Sequence, residues 1–173
     1  PLNDIDVIET ELLLSDLSKI ENIIENLKKK NKGKVIDPKL LNTLESAKKN
    51  LDSGIFLRNC SEEPLDSKIL ASYNFLTVKP MIYVCNVDEE SANSGNKYSK
   101  EIDEYGATKE INVIKISASI ESQISVLNDE DRNEYIDTLG LAEPGLNTLI
   151  NEGYNALDLV TYFTSGPKET RAW

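Results

Sequence analysis

Two short stretches of this chain carry the residue types that could do chemistry. The apolar run Lys79-Pro80-Met81-Ile82-Tyr83-Val84-Cys85 ends in Asn86, and an acid, Glu89, follows three residues later. About thirty residues on, Val113-Ile114-Lys115-Ile116 runs into Ser117-Ala118-Ser119. Both runs are rich in β-branched and aromatic residues and predict strands. In a parallel α/β sheet, ligands bind outside the carboxyl ends of the strands. Two strand ends bearing an amide, a carboxylate and a Ser-Ala turn would form one wall of a purine pocket. Small residues at 117–119 let the backbone approach a base, so that its N–H groups can meet the ring edge. Each motif alone also suits an ordinary turn: an Asn-Asp turn after the first strand, a Ser cap after the second.

A third candidate is basic. Residues 28–34 hold Lys28, Lys29, Lys30, Lys32 and Lys34 and no acid, within a chain of net charge −11. Such asymmetry suggests contact with a phosphate backbone. A solvated loop tip is the plainer alternative.

Composition excludes a good deal. The chain of 173 residues is 39% hydrophobic and 28% charged, enough for one core of ordinary size with an appendage. The net charge argues against attraction of the whole chain to nucleic acid or an anionic membrane. With no histidine, imidazole catalysis and most zinc chemistry are removed, and no metal site is expected. Cys60 and Cys85 share no metal-type spacing, and Cys85 is expected to be a small buried hydrophobe. A reducing cytoplasm fits this cysteine usage, and no signal peptide or membrane-spanning run is present. The sequon Asn59-Cys60-Ser61 is read as chance.

These candidates need elements to hold them. Residues 4–30 predict a long amphipathic helix with Leu13, Leu17, Ile20, Ile24 and Leu27 spaced 4, 3, 4, 3. Residues 38–52 predict a second, with Leu40, Leu44, Ala47 and Leu51 on its seam and Asp37-Pro38 at its start. Joined by the polar lysine turn, they make an antiparallel coiled-coil hairpin, which must project from a body or pack on one. A short helix capped by Asp66 precedes the first strand, 80–86. A polar loop over 87–98, a weak helix from Tyr98 stopped by Gly106, and a strand over 111–117 complete a βαβ unit with parallel strands. Helices follow over 120–127, from Asn128 to Gly140, and over 144–157 with Leu146, Leu149, Ile150, Tyr154 and Leu157 inward. Leu159 to Thr164 reads as a last strand, broken by Ser165-Gly166-Pro167. The fold class is α/β, a mostly parallel sheet with the helical hairpin attached.

Several stretches carry a wider resemblance. In guanine-binding P-loop GTPases the strand corresponding to 80–86 ends in Asn-Lys-x-Asp, where Asn braces the loop and Asp accepts two protons from guanine. Here Val87 stands at the Lys position and Glu89 at the Asp position, a carboxylate displaced by about one methylene, which relaxes a guanine preference. The helical segment Asp4 to Leu17, the stretch Leu76 to Glu89, the loop Ile116 to Glu121, Leu139-Gly140-Leu141, and Thr161 to Trp173 together resemble the YchF/Obg-like ATPase family. The resemblance implies a P-loop-type nucleotide hydrolase, binding ATP in preference to GTP with Mg²⁺, cytoplasmic and associated with ribosomes. It implies that Asn86, Val87, Glu89, Ser117, Ala118 and Ser119 contact the base. It also implies a helical hairpin over 1–57, the C-terminal half of a nucleotide-binding domain over 65–165, and a linker over 166–173 toward a missing TGS domain. No G-x-x-x-x-G-K-[ST] occurs, so no phosphate cradle, catalytic residue or magnesium ligand is expected in this chain, and it should be inactive alone. Asp103-Glu104-Tyr105-Gly106 matches D-x-x-G by letters but follows the base strand, and is not read as a magnesium motif. The alternative is a non-enzymatic helical adaptor or RNA-binding module.

Overall fold

The computed structural model describes residues 1–30, 35–60 and 65–172. They form two compact units, Pro1–Pro80 and Met81–Trp173.

The first unit is built on α1 (Leu2–Lys30) and α2 (Pro38–Asp52). Asp37 caps α2 by accepting the Lys39 N–H at 3.0 Å, with Pro38 at the first helical position. The ion pairs Glu21–Lys48 (2.8 Å) and Lys28–Glu45 (3.1 Å) run in opposite order along the two helices, which are therefore antiparallel. These pairs are exposed and screened by solvent, so they add little to stability. The seam between them outweighs that. Ile20, Ile24, Leu44, Ala47 and Leu51 are buried, with Leu13, Leu17, Leu27 and Leu40 packed against them. Burying one large aliphatic side chain is worth about 1.5–3 kcal/mol.

The packing of this unit runs on past residue 57, where the sequence reading ends the hairpin. A 3₁₀ turn (Leu57–Asn59) and α3 (Ser67–Ser72) lie on it, and Leu57, Leu70 and Phe75 join the same core. Asp66 caps α3, accepting the N–H groups of Lys68 and Ile69. Lys39 donates to Asp66 at 2.6 Å and, as the main cause, holds its carboxyl below the usual range. Asp16 explains the extension to Pro80. It is 1% exposed, and its Oδ1 accepts the Leu76 N–H at 3.0 Å. Its Oδ2 accepts both the N–H and the hydroxyl of Thr77 at 2.7 Å. This one carboxylate fastens the 75–77 segment to α1.

The second unit begins with a βαβ crossover. β1 (Ile82–Asn86) and β2 (Asn112–Ile116) pair in parallel, with Ile82 opposite Asn112 and Asn86 opposite Ile116. α4 (Lys97–Lys109) links them, started by a capping box of Asn96 and Ser99. Gly106 does not stop α4, as its letter suggested. The helix continues to Lys109 and ends on Glu110 in the left-handed region (φ 56°). Gly106 is buried, and a Cβ there would lie 2.5 Å from Val113 Cγ2 and 2.7 Å from the Ile111 carbonyl oxygen. It is glycine because the helix must lie this close to β2.

α5 (Ala118–Ile124) and α6 (Asp129–Thr138) pack through Ile120, Ile124 and Ile136. α7 (Gly145–Ala156) departs from the sequence reading. Leu146, Ile150, Tyr154 and Leu157 were expected inward, yet they are 44–59% exposed. The half-buried face of α7 carries Gly145, Thr148, Leu149, Glu152, Gly153 and Ala156. Glu152 accepts from the Asn112 amide of β2 at 2.7 Å, so this small and polar face meets the sheet. Among the described residues nothing fully covers the apolar stripe. The expected last strand is also shorter. β3 (Phe163–Ser165) pairs antiparallel with β4 (Thr170–Ala172), so residues read as a linker form half of a hairpin.

Two substitutions test these constraints. Gly106→Ala gains up to about 1 kcal/mol of helix propensity but overpacks against backbone, at a cost of about 1–3 kcal/mol. We expect a net loss, seen as a lower denaturant midpoint. Asp16→Ala strands the buried N–H and hydroxyl of Thr77, and the half-buried N–H of Leu76, and should cost about 2–4 kcal/mol, read from the same titration.

Candidate functional site

The parallel register puts the two strand ends side by side. The ladder continues one bond beyond β1, with the Val87 N–H donating to the Ile116 carbonyl at 2.8 Å. The chain then turns at Asp88, whose Oδ1 accepts the Ser91 N–H at 2.8 Å. Hydrogen bonds from the Ser91 side chain and backbone hold the Asp88 carboxyl below the usual carboxylate range.

Asn86 reaches across to the second strand end. Its Oδ1 accepts the Ala118 N–H at 3.0 Å, at the first residue of α5. Glu89 meets the same helix at the next residue and again one turn further on. Its Oε1 accepts the Ser119 hydroxyl at 2.5 Å and the Gln123 amide at 2.7 Å. Gln123 in turn accepts from the Tyr135 hydroxyl of α6. The two loops are thus tied at two points, and Ala92 of the first packs on the Ile120–Ile124–Ile136 cluster behind them.

Of the six residues expected at the site, four are brought together at the surface: Asn86, Glu89, Ala118 and Ser119 are all exposed. Val87 and Ser117 are buried, at 8% and 3% exposure. Ser117 holds the N-cap position of α5 without using its hydroxyl as a cap, and that oxygen has no partner among the described residues. Sequence reasoning passed over Gln123 and Tyr135. For Gln123 the available signal was its place four residues after Ser119 on one helix face. For Tyr135, in another helix, there was none.

The ledge is open rather than enclosed. A cleft of about 320 Å³ opens beside β2, lined in part by Lys115, Ser117, Glu121, Gly145 and Thr148, but neither Asn86 nor Glu89 lines it. Asp103 pairs with Lys115 at 3.0 Å, an α4–β2 tie. The free thiol of Cys85 is half-buried, and burial is the main cause pushing it up. Among the described residues no three His, Cys, Asp or Glu side chains converge as metal ligands. No described helix is long and apolar enough to cross a membrane.

Of the five lysines at 28–34, Lys28 pairs with Glu45 and Lys29 with Glu25 (2.6 Å). Lys30 ends α1, and Lys32 and Lys34 lie outside the described residues.

No family model matches the chain. Curated relatives match it over its whole length: the "Ribosome-binding ATPase YchF" of Haemophilus influenzae is 41% identical over 174 residues, and that of Bacillus subtilis 36% over 179. The solved structure of the Schizosaccharomyces pombe YchF GTPase matches with a TM-score of 0.83 at 26% identity, covering 100% of this chain and 48% of that one. The helices and small parallel sheet of this chain are thus similar in fold to a YchF GTPase, a member of the P-loop GTPase superfamily. The chain belongs to the YchF family of that superfamily, and spans about half (48%) the length of the curated relatives it matches.

If Asn86 holds the two loops together, Asn86→Ala should free the Ala118 amide. We expect its hydrogen exchange to accelerate about tenfold, the loss of one hydrogen bond worth about 1.4 kcal/mol, with β1 amides unchanged.

Proposed function

We propose that residues 86–89 and 117–119 are the purine-recognition surface of a YchF-type nucleotide hydrolase that prefers ATP to GTP and acts with ribosomes in the cytoplasm. The observation that carries this reading is the double tie of Asn86 to Ala118 and Glu89 to Ser119. It presents an amide, a carboxylate and a helix start on one exposed ledge at the carboxyl ends of parallel strands, where such sheets bind ligands.

Phosphoryl transfer rests on positioning and on electrostatic stabilisation of the phosphates. The sequence holds no Gly-rich phosphate loop, and the described residues offer no converging magnesium ligands. We assign no catalytic or magnesium-binding step to this segment. Its part is to choose and orient the base. The α1–α2 pair is proposed as a coiled-coil arm, with the lysines at 28–34 meeting ribosomal RNA. The relatives named as ribosome-binding support association with ribosomes, and the net positive charge of 28–34 supports the arm as the contact.

Titration of the full-length protein with fluorescent ATP and GTP analogues tests the base reading. Asn86→Ala should weaken both by about tenfold, roughly one hydrogen bond to a positioned group. Glu89→Asp with Val87→Lys should move preference toward guanine. Unchanged affinities in both would remove these residues from the site. For the arm, reversing the five lysines to Glu should reduce co-sedimentation with ribosomes. It should also flatten the log–log salt slope by about one unit for each phosphate no longer neutralised, and leave nucleotide affinity unchanged. Equal sedimentation at every salt concentration would reduce the lysines to solubilising charge.

A further inference from the structure

Glu89 is held in a way that bears on which base it can accept. A carboxylate offers two oxygens, each with two lone-pair positions, and it accepts without donating. Both positions on Oε1 are taken, one by the Ser119 hydroxyl and one by the Gln123 amide. The remaining oxygen, Oε2, is the one left to face a ligand.

The holding group is itself oriented. Because Glu89 only accepts, Gln123 must turn its NH₂ end toward it. Its oxygen end then faces Tyr135, whose hydroxyl must be the donor. Tyr135 comes from α6 and is half-buried against the Ile120–Ile124–Ile136 cluster. The carboxylate is therefore tied through Gln123 to a second helix, rather than to α5 alone.

We propose that Gln123, oriented by Tyr135, sets the base selectivity of this site by occupying one oxygen of Glu89 and leaving a single acceptor for the purine. The inference rests on the base-recognition reading above. Guanine presents two adjacent donors, the ring N1–H and the 2-amino group, and a two-point contact needs both carboxylate oxygens. Adenine presents one donor, the 6-amino group, beside a ring nitrogen that accepts. A carboxylate with one oxygen engaged matches the second pattern. For guanine it leaves a donor unmatched, a mismatch that discriminates strongly in a site built for hydrogen bonding. Gln123 and Tyr135 are positioning residues here, acting on the base through Glu89.

The experiment uses the full-length protein and fluorescent ATP and GTP analogues. Gln123→Met keeps the side chain's length and removes the amide. It should shift the ratio of the two dissociation constants toward GTP by about tenfold, the scale of one hydrogen bond. Tyr135→Phe, which frees Gln123 to turn, should shift it in the same direction by less. Ser119→Ala, which vacates the other position on Oε1, is the second variant should Gln123→Met fold poorly, and it too should shift the ratio toward GTP. A merely structural role would lower both affinities together and leave the ratio fixed, and that result overturns the proposal. Asn86→Ala separates the two ideas. If it weakens both nucleotides while the ratio stays fixed in the Gln123, Tyr135 and Ser119 variants, the base site stands and the selectivity role falls. If Asn86→Ala also changes nothing, both fall.

Discussion

The parallel register of β1 and β2 is the constraint on which the rest of the second unit depends. It sets Asn86 opposite Ile116 and so places the ends of the two strands together. A parallel pair cannot be joined by a tight turn. It needs a crossover helix, and that helix must lie close to the strand it feeds. At Gly106 the approach leaves no room for a Cβ. One absent methyl group therefore lets α4 close the crossover, the crossover fixes the register, and the register delivers Asn86 to the Ala118 N–H. A slip by one residue would turn Asn86 to the other face and break the tie.

A comparable economy holds in the first unit. The α1–α2 seam is apolar and regular, but seams of that kind specify only that two helices pack. Asp16 supplies the long-range fastening. Its two oxygens satisfy three donors from residues sixty positions or more away. A buried carboxylate is tolerable only when fully bonded, so the 75–77 segment is specified in one place. Leu70 and Phe75 follow into the core.

What the sequence made legible was whatever local rules govern. The start of α2 was written in Asp37-Pro38, the start of α3 in Asp66, and the seam in the spacing of Leu13 to Leu27. The strand ends at Asn86 and Ser117 were legible because apolar runs stop there. What was not legible depends on tertiary contact. Gly106 looks like a helix stop until Val113 is placed against it. The apolar stripe of α7 looks inward-facing until its small, polar face is placed against β2. Asp16 sits among seam leucines as an ordinary exposed acid would. Tyr135, which orients Glu89's partner Gln123, could not be found from spacing, since it belongs to another helix. The resemblance in sequence singled out six residues as a candidate set, and geometry leaves four of them exposed and two buried.

The most direct test of the account is where a nucleotide touches this segment. In the full-length protein, ¹⁵N-labelled and titrated with a non-hydrolysable ATP analogue, amide shifts within the second unit should concentrate at residues 86–89 and 117–119. The side-chain amides of Asn86 and Gln123 should move with them. Shifts absent from these positions while the nucleotide binds, or centred on the cleft at Lys115, Glu121 and Thr148, would contradict it.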